Sequence, residues 1–137
     1  MTTRTSLVNG VDFVCISTSD LAAAMDFYGN VLGLPRSSVW QRPGEEPVGA
    51  EFETGSLTLA LLASASLHLE FRPNNHPIAL HVDDVEAARA ELESRGVSFT
   101  ADTLDSGVCL QAFFEDPDGN ALALHHRYAP RAPDGGS

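Results

Sequence analysis

Residues 115–126 read EDPDGNALALHH, and this stretch decides how the rest of the chain is interpreted. Pro117 and Gly119 favour a tight turn, because proline fixes its own φ angle and glycine adopts backbone angles that other residues avoid. The residues from Ala121 to Leu124 are all apolar, which is typical of a short buried strand. The stretch therefore predicts a turn followed by a strand that ends in two histidines.

The same turn and strand occur earlier in the chain, as part of an internal repeat. An offset of 64 residues places residues 11–24 on residues 75–88, and Thr54-Gly55-Ser56 on Asp118-Gly119-Asn120. In each half the pattern predicts one strand, one helix and three more strands. The predicted strands cover residues 11–17, 37–42, 49–54 and 57–63, and then residues 77–82, 98–104, 108–115 and 120–127.

Each half is thus a βαβββ module, in which one helix covers a single face of the strands and leaves the other face open. The sequence predicts an α+β fold in which two tandem βαβββ modules form a curved mixed sheet around a cavity. The modules are residues 11–63 and 77–127, with residues 64–76 as the linker. Residues 1–10 are expected to form a flexible N-terminus, and residues 128–137 a disordered tail.

The charge and composition exclude several classes of partner. The 137 residues carry a formal net charge of −11, which argues against nucleic acid and against anionic membrane surfaces. No apolar run approaches the ~20 residues that span a bilayer, and the N-terminal residues do not resemble a signal peptide. We therefore expect a cytoplasmic protein without a nucleic-acid or membrane partner. The negative charge would favour a cationic ligand if it gathers near a cleft.

Three motifs resemble those of the vicinal oxygen chelate superfamily, which includes glyoxalases, extradiol dioxygenases and bleomycin-resistance proteins. They are SDLAAAMDFYGNVLGLP at residues 19–35, HVDDVEAARAELESRGV at residues 81–97 and FEDPDGNALAL at residues 114–124. The resemblance covers roughly residues 11–126 and implies the glyoxalase/bleomycin-resistance fold. It does not imply one activity, because this fold hosts several chemistries.

The resemblance also implies where a metal would bind, on the concave face of the sheet. The family's ligand positions correspond here to Phe13, Pro77 and Ala123, and the repeat offset adds Leu59 as a fourth. None of these side chains can donate a lone pair, whereas divalent metals at such sites need imidazole or carboxylate ligands. We therefore predict no metal and no cofactor, and the chain is most similar to the metal-free, bleomycin-resistance-like branch.

Two histidines are candidates for polar chemistry in the cavity. By period-two alternation His81 shares a face with Pro77, and His125 shares a face with Ala123, whereas His126 points the other way. His81 and His125 could form hydrogen bonds to a ligand, act as a general base or recruit a displaced metal. No catalytic residue can be assigned among these alternatives.

The first functional hypothesis is a protein that binds a small aromatic or cationic molecule in a metal-free cavity, which would suit drug sequestration and antibiotic resistance. The predicted ligand-binding residues are Phe13, Trp40, Phe52, Leu59, His81, Phe113, Ala123 and His125, with Ser17 as a further polar contact. The alternative is an enzyme, either a metal-dependent lyase, isomerase or dioxygenase with displaced ligands or a metal-free isomerase. A third hypothesis is a regulatory domain. Open sheet edges lead us to expect a homodimer.

Overall fold

The computed structural model describes residues 6–130 and contains the two predicted βαβββ modules. The first consists of strand β1 (Phe13–Thr18), helix α1 (Leu21–Asp26), a continuation of that helix in π geometry (Phe27–Val31), and strands β2 (Arg36–Trp40), β3 (Gly49–Glu53) and β4 (Thr58–Ala63). A 3₁₀ turn (Ser64–Leu67) follows. The second consists of β5 (Ile78–His81), α2 (Val85–Ser94), β6 (Leu104–Asp105), β7 (Cys109–Glu115) and β8 (Ala121–Arg127).

Each module forms its own four-stranded mixed sheet, which confirms the predicted α+β class. The strand orders are β1-β4-β3-β2 and β5-β8-β7-β6. The pairs β1–β4 and β5–β8 are parallel, and the remaining pairs are antiparallel. The first strand of each module is therefore an edge strand, with one backbone edge not used by its own sheet.

An aspartate caps the N-terminus of each helix. The Asp20 carboxylate accepts a hydrogen bond from the backbone N–H of Ala23, and Asp84 does the same for Ala87. Such a cap satisfies one of the backbone donors that have no partner within the first turn. The same local signal, an aspartate N-cap, therefore starts both helices at equivalent places in the repeat.

The core lies between the helices and the inward faces of both sheets. Its largest fully buried side chains include Tyr28, Phe114, Leu59, Leu61 and Leu122. The ring of Phe27 lies 6.4 Å from that of Phe114, so the first helix packs on the second sheet as well as on its own. The two modules therefore share one core.

The DPDGN turn fastens the second module to the first. The carboxylate of Asp116 accepts a 2.8 Å hydrogen bond from the Tyr28 hydroxyl, and it also accepts one from the backbone N–H of Asn120. The carboxylate of Asp118 accepts hydrogen bonds from Thr18 and Ser19, at the junction of β1 and α1. The polar residues of the turn therefore form hydrogen bonds that connect the two modules.

Asn120 adds a third connection. Its side-chain amide donates to the Ser17 carbonyl at 2.9 Å, and its side-chain oxygen accepts from the backbone N–H of Asn74 at 2.7 Å. The side chain is buried, so both bonds are shielded from water and costly to lose. The turn thus ties the first module, the linker and the second module together at one point.

The repeat offset is not constant, which corrects the predicted orientation of Leu59. β1 pairs Val14 with Leu59, and β5 pairs Ile78 with Leu122. The offset is 78 − 14 = 64 on the first strands but 122 − 59 = 63 on the last ones. A one-residue slip turns a strand side chain to the other face. The counterpart of Ala123 is therefore Ala60, and Leu59 points into the core.

An extra turn residue causes this slip. β4 begins at Thr58, whereas β8 begins at Ala121, so the first turn is one residue longer after its glycine. The hydroxyl of Thr54 accepts from the backbone N–H of Leu57 at 3.0 Å and donates to the Leu57 carbonyl at 2.7 Å. This local closure accommodates Leu57 within the turn.

The sixth strand is much shorter than the predicted residues 98–104. Only Leu104–Asp105 pairs with β7, and Phe99 forms an isolated bridge with Phe114. Thr103 instead contacts α2, donating to Glu86 and accepting from Arg89 at 3.2 Å. The segment between the two pairings therefore follows the helix and not the sheet.

Candidate functional site

Each sheet has one face that no helix of its module covers, and we call these the open faces. On the first sheet, β-pairing places Cys15, Ala60 and Glu51 side by side, with Ser17 and Trp40 on the same face. Opposed residues in paired strands point to the same side, so the register alone defines this surface. It has small side chains at its centre and larger ones at its margins.

The Trp40 ring lies next to Gly49 of the neighbouring strand β3. A Cβ atom added to Gly49 would lie 2.4 Å from Trp40 Cε3 and 2.7 Å from the Leu61 carbonyl oxygen. The indole therefore occupies space that any other residue at position 49 would fill. This glycine holds the only tryptophan of the chain against the open face.

Two carboxylates lie on this open face, one with hydrogen-bond partners and one without. Glu53 accepts hydrogen bonds from Ser37 and Thr58, which hold its pKa below the usual value. Within residues 6–130, the Glu51 carboxylate has neither a hydrogen bond nor an ion pair, although its side chain is half-buried. Glu51 is therefore the carboxylate that can receive a cation without breaking an existing contact.

The second sheet carries the two predicted histidines, with His125 on its open face. His81 and His125 are direct partners across the parallel strands β5 and β8, and Gln111 is paired with His125. His81 contacts Asp83 at 3.3 Å and is largely exposed. Phe113 and Ala123 are paired on the same face. This surface combines imidazole and amide groups with an aromatic ring.

Arg127 is a further polar residue on the open face of the second sheet. It is paired with Cys109 in the β7–β8 register, and its Nη1 lies 3.9 Å from the Cys109 sulfur. Its Nε is buried and has no hydrogen-bond partner in the described part of the chain. By register His126 points to the face opposite His125, and its ring lies 5.8 Å from that of His81, so the exposed His81 ring lies at the edge of the sheet and not on the open face beside His125. The second open face therefore offers donors as well as an imidazole.

The structure divides the predicted site residues into two groups. Phe52 and Leu59 are 2% and 1% exposed and point to the core-facing side of the first sheet, so the prediction that they line the open face is wrong. The other predicted residues lie on the open faces or at their edge: Phe13, Ser17, Trp40, His81, Phe113, Ala123 and His125. Their role in binding stays a prediction.

Several polar residues were missed. Glu51, Gln111 and Arg127 share the open faces, and the signal that could have found them is period-two alternation along β3, β7 and β8. That signal becomes useful only when the pairing of each strand is known, because the pairing decides which of the two faces is open.

The family's metal-ligand positions, placed by the observed register, hold Phe13, Ala60, Pro77 and Ala123. None of these side chains has a nitrogen, oxygen or sulfur donor, so they do not fit a divalent metal. Among residues 6–130, no three His, Cys, Asp or Glu side chains are grouped so that they could hold an ion. We therefore derive no chemistry through a metal at these positions.

The sequence of residues 10–124 matches the Glyoxalase/Bleomycin resistance protein/Dioxygenase superfamily. The chain belongs to this superfamily, which confirms the resemblance carried by its motifs. No curated protein matches the chain. Within residues 6–130, no helix has both the length and the apolar character needed to cross a membrane.

Several solved structures share the fold. A member of the same superfamily from Sphaerobacter thermophilus is 25% identical, with a TM-score of 0.72 over 88% of this chain and 98% of that one. The antibiotic binding protein TnmS3 from Streptomyces sp. CB03234 is 23% identical, with a TM-score of 0.73 over 90% and 99%. A lactoylglutathione lyase from Agrobacterium tumefaciens is 18% identical, with a TM-score of 0.70 over 86% and 93%.

Proposed function

We propose that the protein binds a small aromatic cation on its open faces, without a metal, as a drug-sequestering protein would. The observation that carries the proposal is that Trp40 and Glu51 are diagonal neighbours on one open face, because Trp40 pairs with Gly49 and Glu51 pairs with Ser38. The indole supplies an aromatic surface, and the neighbouring carboxylate supplies a negative charge that no described side chain neutralises. Stacking and cation–π attraction combined with such a charge select planar cations.

The surroundings support this ligand class. Ala60 leaves the centre of the first open face without a bulky side chain, and Phe13 is 49% exposed at its margin. The formal charge of −11 raises the local concentration of cations around the whole molecule. The antibiotic binding protein TnmS3 shows that the same fold can carry a binding function.

The experiment compares two ligands of nearly equal shape, N-methylacridinium and uncharged acridine, by calorimetry at pH 8. We expect N-methylacridinium to bind more tightly, and Glu51→Gln to weaken its binding about tenfold, which corresponds to about 1.4 kcal/mol. Acridine binding should not respond to that variant. The matched control is Glu93→Gln, on the exposed side of α2. Absence of saturable binding, or equal effects of the two variants, would refute the proposal.

The enzyme alternative keeps one specific observation, the pairing of His81 with His125 across β5 and β8. A neutral imidazole there could act as a general base on a bound substrate. Elemental analysis of the purified protein and of His81→Ala separates the alternatives. A stoichiometric divalent ion that disappears in the variant would favour the metalloenzyme and contradict the binding protein.

We also propose that two copies associate to enclose the open faces. Apolar side chains remain exposed on or beside them, including Phe13, Leu104 and Val108. Light scattering should give twice the 14.6 kDa chain mass, whereas a monomer mass would overturn this part of the proposal. The cytoplasmic location stays a prediction, which cell fractionation would test.

A further inference from the structure

The two modules contact each other differently at the two ends of the repeat. The turn at Asp116–Asn120 is bonded to β1 and α1 of the first module. The equivalent turn of the first module, Thr54–Leu57, has no described hydrogen bond to the second module. Both of its hydroxyls are engaged within the turn, since Thr54 donates to the Leu57 carbonyl and lies 3.4 Å from the Ser56 hydroxyl. The turn at one end of the repeat is therefore bonded to the other module, whereas the equivalent turn at the other end is not, and there the modules are joined instead by a hydrogen bond from Arg95 to the Val31 carbonyl.

The sequence explains this asymmetry. With the offset of 64, Asp118 corresponds to Thr54 and its partner Thr18 corresponds to Val82. By the same offset, Tyr28 corresponds to Leu92, which has no hydroxyl. The pairs of Thr18 with Asp118 and of Tyr28 with Asp116 therefore have no equivalent hydroxyl–carboxylate pair at the other end.

A cleft of about 610 Å³ opens beside the turn that has no hydrogen bond to the other module. It lies between the end of the first helix, the Thr54–Leu57 turn, the edge strand β5 and α2. Its walls are mostly aliphatic, formed by Leu34, Leu57, Leu59, Ile78, Leu80 and Leu92. Pockets of about 300–1,000 Å³ with such linings are the usual size for small-molecule ligands.

The charged residues at the cleft are already engaged with the protein. Arg95 donates to the Val31 carbonyl at 2.7 Å and pairs with Glu91 at 3.4 Å. His81 contacts Asp83 at 3.3 Å. A charged ligand would have to break these contacts or lose its hydration against aliphatic walls, and both cost free energy. The lining therefore favours an uncharged ligand.

We propose that this inter-module cleft is a second binding site, for a largely apolar and uncharged small molecule. It lies on the helix side of the sheets and shares only the edge strand β5 with the open faces. This site does not involve Trp40 or Glu51, so the proposal can be tested independently of the binding of an aromatic cation.

The test uses N-phenyl-1-naphthylamine, an uncharged apolar dye whose fluorescence increases in apolar surroundings. We expect saturable binding to the full chain, and at least a tenfold higher Kd in Ala88→Phe and in Ser56→Trp. Ala88 lines the cleft from α2, and Ser56 is an exposed residue at its rim. Because Ser56 is exposed, its variant should fold even if Ala88→Phe does not.

The matched control is Ala90→Phe, which places the same side chain on an exposed position of the same helix and should leave the Kd unchanged. N-methylacridinium should not displace the dye. Three outcomes would overturn the proposal. The first is that the dye does not bind saturably. The second is that N-methylacridinium displaces the dye and Ser56→Trp leaves its Kd unchanged. The third is that dye binding increases on dilution of the protein while Ser56→Trp abolishes dimers. The last would show that a second copy covers the cleft.

Discussion

The Tyr28 hydroxyl donates a 2.8 Å hydrogen bond to the carboxylate of Asp116, 88 positions further along the chain. Tyr28 is fully buried and Asp116 nearly so, and each belongs to a different module. Asp116 also accepts from two backbone N–H groups of its own turn and from the Asn120 amide. The bond therefore joins the first helix to the motif that defines the last hairpin.

Removal of this hydroxyl should destabilise the protein. In Tyr28→Phe the buried carboxylate loses one donor, and the free energy of unfolding in urea should fall by about 1–3 kcal/mol. Tyr128→Phe is the matched control, because the Tyr128 hydroxyl also bonds to an aspartate, Asp105, but the residue is 48% exposed. The control should change stability by less than about 0.5 kcal/mol. Equal losses of unfolding free energy in the two variants would show that the buried hydrogen bond contributes no more to stability than the exposed one.

The same tyrosine predicts a loss of stability at alkaline pH. Burial, and then the nearby Asp116 carboxylate, raise the pKa of Tyr28 well above its usual value. An unfolded tyrosine ionises near pH 10, so this contribution is complete below about pH 10 and is lost as the pH rises further, by about 1.4 kcal/mol per pH unit.

The measurement is urea unfolding between pH 8 and 11, together with tyrosinate absorbance at 295 nm. Tyr28→Phe should flatten the decline in stability above about pH 10. A hydrogen bond to Asp105 raises the pKa of Tyr128 as well, so the Tyr128→Phe variant is needed to assign the absorbance. Ionisation of Tyr28 in the folded protein at its ordinary pKa would contradict the prediction.

Gly49→Ala should displace Trp40. The new methyl group would meet the indole and the Leu61 carbonyl at distances that real atoms do not adopt, and the backbone carbonyl cannot withdraw. We expect a loss of about 1–3 kcal/mol from overpacking, and a shift of the tryptophan emission. Gly10→Ala is the control, because a Cβ there would meet nothing within 4 Å. An unchanged emission spectrum would show that the ring is not held by position 49.

Two phenylalanines that the sequence predicts to bind the ligand should behave differently. Phe52→Ala removes a core ring that is 2% exposed and should cost about 3–5 kcal/mol in chemical denaturation. Phe113 is half-buried on the open face, so Phe113→Ala should cost clearly less and should weaken the binding of N-methylacridinium. A larger stability loss in Phe113→Ala would reverse the assignment of the two faces.

The sequence predicts most of the elements, because the local signals agree. Asp20 and Asp84 cap the helices where their chemistry suggests, and seven of the eight strands lie within a few residues of the expected ranges. The exception is β6, where Thr103 bonds to Glu86 and Arg89 of α2. This segment bonds to the helix and not to the sheet because of tertiary contacts, and no local pattern in residues 98–104 predicts those contacts.

The site was predicted less completely, because it depends on strand register. Phe13, Ala123 and His125 follow from motif spacing and alternation within single strands. Leu59 was placed by a constant repeat offset, which the turn at Thr54 breaks by one residue. Phe52 was placed without knowledge of its partner strand. Pairing between strands distant in sequence carries the missing information.

The extra residue in the Thr54–Leu57 turn has a consequence for protein engineering. A carboxylate introduced at position 59 would enter the core, where an unpaired charge is costly, whereas one at position 60 would face Cys15 and Glu51 on the open face. Attempts to graft a metal site by transferring positions from the second half through one fixed number would fail in the first half. The graft must be numbered separately on each side of the turn.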